Sequence, residues 1–265
     1  MNEHIVQFYE NDDFLIQGLS DYIGSALSAG NKGIVIATKT HRQALEDILW
    51  QQGLLTHEAP DLNGKYIALE ANDMLPLFMF NGVPDEDLFS RTIGGVIKRA
   101  GIGHKGEVHV FGEMVAILCG EESNRLNSHG KHDAALHVEN CFNMLQKRMP
   151  FSLLCGYPMS AFAWAEDAKA FHSVCLLHSS VIPAESYNVS ASIDDLQRTI
   201  ATLQQKACSL NSEVNERRQI EQVLRELNFD RLTGLPNRSV FQDRLDLEIK
   251  KSQRARLPLA LLFID

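Results

Sequence analysis

Residues able to do chemistry are scattered along this chain. Glu113 directly follows the apolar run Val108-His109-Val110-Phe111-Gly112. A carboxylate at the end of a buried strand points into the crevice where open α/β sheets hold ligands. His4 and Glu10 flank the run Ile5 to Tyr9, and Cys175 and His178 stand three apart near the last amphipathic stretch of the N-terminal part. With Glu113, these residues have the types that can hold a ligand, and they suit capping or buried hydrogen bonding as well. A further constellation is His129-x-x-His132-x-x-x-x-His137-x-x-x-Cys141. It sets His137 and Cys141 one turn apart on a helix, where they could bind one zinc or other transition metal. The spacing matches no standard finger, and the polar setting around Gly130 favours a solvated face.

Phosphate chemistry is disfavoured in this part. A phosphate-cradling loop needs Gly-x-x-x-x-Gly-Lys-Ser/Thr between the first strand and its helix, so that backbone amides and a lysine meet the anion. Here that junction reads Tyr9-Glu10-Asn11-Asp12-Asp13-Phe14, acidic and without glycine or lysine. Gly94-Gly95 and Gly101-x-Gly103 fall inside and at the end of an amphipathic stretch, where close packing and a helix C-cap account for them. Met74, Phe78, Met79 and Phe80 read as core packing more readily than as the wall of an apolar ligand site.

The elements that must position these residues follow from periodicity. Short apolar runs at Ile5–Tyr9, Gly33–Ala37, Tyr66–Leu69, Val108–Gly112 and Ser152–Tyr157 alternate with longer amphipathic stretches, the pattern of an α/β domain on a mainly parallel sheet. Helices are expected from an Asp12 or Asp13 N-cap to Gly30, then over His41–Gln52, Met74–Phe80, Glu86–Ala100, Lys131–Arg148 and Glu166–Leu177. Beyond Pro183 the pattern changes. Ile193, Leu196, Ile200, Leu203, Ala207, Leu210 and Val214 keep the 3,4 spacing of a coiled-coil seam. Arg217, Ile220, Leu224 and Leu227 continue it through two steps of three, a stammer that overwinds the supercoil. Continued to Asn228, such a helix spans about 50 Å at 1.5 Å per residue, which suits a connector that dimerises two chains. A long helix packed on its own domain is the other reading.

The 265 residues allow one full core and part of another. Lys plus Arg total 25 against 34 Asp plus Glu, a net charge of −9 that disfavours non-specific attraction to nucleic acid or to an anionic membrane. The five cysteines are odd in number and widely spaced, unlike a secreted disulfide framework. No window has the length and apolarity of a membrane span, and no leader pattern is present. A cytoplasmic protein that binds neither nucleic acid nor membrane is expected.

Several runs resemble the MEDS family of sensory domains: His4-Ile5-Val6-Gln7-Phe8-Tyr9-Glu10, Phe111-Gly112-Glu113-Met114-Val115, Pro150 to Pro158, and Cys175-Leu176-Leu177-His178 through Glu185. The resemblance covers most of residues 4 to 185. It implies a mainly parallel sheet like that of the RecA and circadian-clock ATPases, here without a phosphate loop, and no established cofactor for the sensor.

The string Asp230-Arg231-Leu232-Thr233-Gly234-Leu235-Pro236-Asn237-Arg238 closely resembles the opening of GGDEF domains, the diguanylate cyclases that join two GTP molecules into cyclic di-GMP. The turn is readable by itself. Thr233 can cap, Gly234 permits a positive φ, Pro236 fixes its own φ, and Asp230 could close the turn on Arg238. By resemblance, Asp230, Leu232, Thr233, Asn237 and Arg238 receive the signal from the upstream helix. A helix from Ser239 to about Arg254 and a buried strand Leu257 to Ile264 are expected next, and the resemblance makes Asp265 a ligand of the Mg²⁺ that organises GTP in the intact domain. The remaining catalytic residues are not in this sequence, so the chain reads as a piece of a longer protein that is inactive alone. The expected organisation is a sensor over 1–185, a coiled-coil signalling helix over 186–228 forming a homodimer, and the start of a cyclase over 229–265. Competing readings are a protein-interaction module without a small ligand, and a parent whose degenerate GGDEF domain only binds GTP.

Overall fold

The computed structural model describes residues 2–56, 64–120, 131–185, 193–230 and 233–262. The chain divides into two compact units, Met1–Asn188 and Val189–Asp265. No helix among the described residues is long and apolar enough to cross a membrane.

The first unit is built on a six-stranded sheet from β1 (His4–Tyr9), β2 (Lys32–Ala37), β3 (Tyr66–Glu70), β6 (Val108–Gly112), β7 (Ser152–Pro158) and β8 (Ser180–Ile182). The strand order is β3-β2-β6-β7-β1-β8 and every pairing is parallel. Helices cover both faces, so the central strands are apolar on both sides. In β2 the residues Ile34, Val35, Ile36 and Ala37 are all fully buried. The period of two sends Ile34 and Ile36 into one core and Val35 and Ala37 into the other. The second of these cores is closed by Leu15, Leu19 and Ile23 of α1 (Asp12–Ser28) with Leu45 and Leu49 of α2 (Lys39–Gln51). The first is closed by Phe89, Ile93 and Ile97 of α4 (Glu86–Gly101), by α5 (Met114–Cys119), by Val138, Phe142 and Leu145 of α6 (Lys131–Gln146), and by Val174 of α7 (Ala168–Leu177). A Cβ on Gly94 would come within 3.0 Å of Leu145, so this glycine lets α4 and α6 approach.

Several expectations need correction. The N-cap of α1 is Asn11, whose side chain accepts from Asp13 N at 2.9 Å, which leaves Asp12 and Asp13 in the first turn against the helix dipole. The helix expected over Met74–Phe80 does not form. A short α3 (Ala71–Met74) passes into a 3-10 turn at Leu75–Leu77, and Met79–Phe80 (β4) pairs antiparallel with Val83–Pro84 (β5). Asn81 and Gly82, at φ 50° and 78°, make the two-residue hairpin turn with both central residues left-handed, a stronger local signal than the apolar spacing around it. The short helix α5 and the edge strand β8 were not anticipated.

In the second unit α8 (Ile193–Asn228) runs for 36 residues, and Leu210, Val214, Ile220, Leu224 and Leu227 on it are exposed. A turn leads to α9 (Arg238–Ala255). The strand expected from Leu257 is absent through Leu262: a strand exists only by pairing, and none of the described residues pairs with this stretch.

Candidate functional site

Among the described residues of the first unit, two clusters of ionisable groups centre on glutamates. The deeper one centres on Glu139, fully buried in the middle of α6. One carboxylate oxygen lies 3.1 Å from His4 Nε2, and the thiol of Cys155 donates to it across 3.4 Å. The other oxygen accepts from the Tyr157 hydroxyl at 2.9 Å and lies 3.5 Å from His178 Nε2. The rings of His4 and His178 stand 4.0 Å apart, centroid to centroid. Burial alone would raise the pKa of Glu139. The neighbouring His178 and His4 overcome that and hold it well below the usual carboxylate range. Burial and the Glu139 charge push the Cys155 thiol and the Tyr157 phenol well above their ordinary values. In His178 burial lowers the pKa, but the Glu139 charge and hydrogen bonding raise it on balance.

Three elements supply these donors. His4 opens β1, and its backbone is clasped by Ser179, whose N–H donates to His4 O at 2.7 Å while the Ser179 hydroxyl accepts from His4 N at 3.0 Å. Cys155 and Tyr157 share one face of β7, and His178 ends α7.

The second cluster sits where β2 and β6 end side by side. Their onward connections diverge, β2 leading to β3 on one side and β6 to β7 on the other. Such a switch point opens a crevice at the carboxyl ends of the strands. Glu113, just past β6, accepts from Thr38 N at 2.7 Å and meets His41 Nδ1 at 2.6 Å, and His41 Nε2 lies 3.3 Å from Asp12. The hydrogen bond to Glu113 raises the His41 pKa to about 8 against the opposing effect of burial, with Asp12 adding to the rise. Asp12 also occupies the first turn of α1, where a phosphate loop would present amides, so an anion there would face carboxylates rather than a lysine.

His132 is buried, not solvated. Its Nε2 is 2.9 Å from Asp167, its Nδ1 is 3.5 Å from Cys119 Sγ, and its ring stacks on Phe162. His137 pairs instead with Glu86 at 3.4 Å, Cys141 packs in the apolar core, and His129 lies outside the described residues. The metal constellation considered for His129 to Cys141 is therefore not assembled among the described residues, and the solvated face favoured in its place does not hold at the buried His132.

Of the residues singled out as sensory, His4 and His178 meet in the deep cluster, and Glu113 sits at the switch point, bonded to Thr38 and His41. Glu10 is exposed, with its N–H donating to Glu185 at 3.0 Å. Cys175 is half-buried at the edge of the core, and the thiol beside His178 is Cys155 instead. Glu139 carried an available signal: Ala135, Val138, Phe142 and Leu145 mark the apolar stripe of α6, and Glu139 falls on that stripe. A carboxylate there must be paired.

In the second unit, Asp230 accepts from both the N–H and the hydroxyl of Thr233, and Gly234 holds φ +68°. Asn237 caps α9 by accepting from Val240 N at 3.1 Å, and Arg238 begins the helix. Leu232 and Asp265 lie outside the described residues.

A family model described as MEDS, the methanogen/methylotroph DcmR sensory domain, matches residues 3–179. A model of the diguanylate cyclase GGDEF domain matches residues 227–265. No curated protein matches the chain.

Proposed function

The chain belongs to the MEDS family of sensory domains, and on that premise we propose that it is the input and transmission part of a cytoplasmic protein in which a small-molecule signal sets the activity of a diguanylate cyclase. The observation that carries this reading is the order of parts along one chain. A sensory module is followed by a 36-residue helix, and that helix runs directly into the opening of a GGDEF domain. We read residues 1–185 as sensor, 186–228 as signalling helix and 229–265 as the start of the cyclase.

Diguanylate synthesis needs two GTP-loaded domains face to face, so the spacing and phase of two helices can set the rate without altering the chemistry. The exposed apolar residues Leu210, Val214, Leu224 and Leu227 supply a dimer seam on α8. The Asp230–Thr233 turn and the Asn237 cap tie the end of that helix to α9, since Asn237 N donates to Asn228 O at 2.9 Å. In the intact cyclase domain GTP and Mg²⁺ would be held by residues of that domain, Asp265 among them. The strand ends at Glu113, His41 and Thr38 are the ligand site this reading favours, because they lie at the topological switch point and carry polar donors and acceptors beside an apolar core.

The test uses the protein extended through its full GGDEF domain. Deleting one residue after Val214 rotates everything downstream by about 100°, and cyclic di-GMP formation should change by an order of magnitude. Unchanged output and unchanged regulation would refute the coupling.

A further inference from the structure

We infer that His4, Glu139, Cys155 and His178 form a binding site for one divalent transition-metal ion of the zinc class, enclosed within the sensory module. Their donor atoms all lie within 4.8 Å of one another, and the four residues are between 0% and 8% exposed. About one Glu139 oxygen, three edges are 3.1 Å to His4 Nε2, 3.4 Å to Cys155 Sγ and 3.5 Å between Cys155 Sγ and His4 Nε2, while His178 Nε2 lies 3.5 Å from the other Glu139 oxygen. A tetrahedron around zinc, with nitrogen and oxygen ligands at about 2.0–2.1 Å and sulfur at about 2.3 Å, has edges of roughly 3.3–3.7 Å. The cluster is close to that size.

The orientation of both imidazoles is fixed from outside. Asn143 Nδ2 donates to the carbonyl of Leu177 at 3.1 Å, which turns Asn143 Oδ1 towards His4 Nδ1 at 3.0 Å. An amide oxygen only accepts, so His4 Nδ1 carries its proton and Nε2 faces the cluster. His178 Nδ1 likewise donates to Val174 O at 2.7 Å. A carbonyl or amide oxygen behind each ring, with the other nitrogen aimed inward, is the support that metal-ligating histidines use. An ordinary buried ion pair explains less: His178 Nε2 is buried and lies 3.5 Å from the Glu139 oxygen without the geometry of a good hydrogen bond to any described residue. A cation at the centre gives that lone pair a partner.

Charge and ligand type select the ion. A divalent ion balances one carboxylate and one thiolate between two neutral imidazoles, leaving no net buried charge. Thiolate and imidazole favour zinc over magnesium or calcium. Four protein ligands leave no open position, which marks a structural or regulatory ion, not a hydrolytic one. The ion would tie β1, α6, β7 and the end of α7 together. The site requires only these four donors and holds whether or not the module governs a cyclase.

The whole 265-residue chain, unfolded with chelator and refolded with Zn²⁺ or Co²⁺, tests this. Expected are one ion retained per chain after dialysis, a higher melting temperature than the metal-free protein, and a sulfur-to-cobalt charge-transfer band in the near ultraviolet. Cys155→Ser should abolish the band. Asn143→Ala, which touches no metal, should weaken affinity about 10- to 100-fold by freeing the His4 ring. If Cys155→Ser does not fold, the wild-type stoichiometry and band together with Asn143→Ala still decide. No retained metal, or retained metal without the band, would overturn the assignment.

Discussion

The contact between His41 and Glu113 sets a pH dependence that can be worked through. Folding raises His41 from 6.5 to about 8, chiefly through the hydrogen bond to Glu113 at 2.6 Å, with burial opposing and Asp12 adding. Tyr9 also senses Glu113 and Asp12, but burial and those charges push its phenol far above the physiological range, so it stays neutral. A group whose pKa rises on folding stabilises the folded state fully below its unfolded pKa. That stability is lost as the pH climbs through the folded pKa. For His41 the contribution is complete below about pH 6.5 and gone above about pH 8. At about 1.4 kcal/mol per pH unit between the two values, it is worth at most about 2 kcal/mol. Glu113→Gln keeps an oxygen to accept from Thr38 N but removes the charge that holds the proton on His41. Urea unfolding at constant ionic strength from about pH 6 to about pH 8.5 should show the stability gap between wild type and Glu113→Gln shrinking by up to about 2 kcal/mol. His178, raised on folding, and His109, lowered by burial, titrate in both proteins and cancel in the difference. Equal pH slopes for the two proteins would refute the assignment of the proton to this pair.

Two further substitutions probe packing and the deep cluster. Tyr157→Phe removes the hydroxyl that donates to the fully buried Glu139 and should cost about 1.5–3 kcal/mol, because the acceptor is charged and loses a donor it cannot replace with water; denaturant melts within error of wild type would show that the hydroxyl is dispensable. Phe89→Ala empties a site only 1% exposed, where the ring stands edge-on to both Phe78 and Phe142, and should cost about 3–5 kcal/mol in guanidinium unfolding.

The five apolar runs chosen from the sequence are all strands of the sheet, because a strand buried on both faces is written as an uninterrupted apolar segment and needs no tertiary information to be seen. The strand Ser180–Ile182 escaped the same criterion: it is three residues long, sits at the sheet edge and is mostly exposed, so its sequence carries no apolar run. Glu113 was found because its position follows from a strand end. Cys175 and His178 were singled out together because they stand three apart in sequence, but His178 ends its helix with Nε2 3.5 Å from Glu139, and the thiol grouped with it is Cys155. Spacing along the chain brings neighbours on one element together. It does not say which residue of a distant strand, such as Cys155, arrives beside them.

Among the described residues, strand β1 pairs only with β7 and β8, which has a consequence during synthesis. The first strand of the module leaves the ribosome before any of its neighbours exists, and the chain from Tyr9 to Ser152 must be made before the sheet can close around it. At about 5–20 residues per second this is a wait of roughly 7–30 s. Throughout it His4, Val6 and Phe8, destined for the interior, have no strand to pair with. The β1 edge of the sheet is thus completed late on the nascent chain, after β2, β3 and β6 have one another to pair with. A ribosome-bound intermediate halted before Ser152 would expose β1 to chaperones and protease, and one released past Ile182 would not.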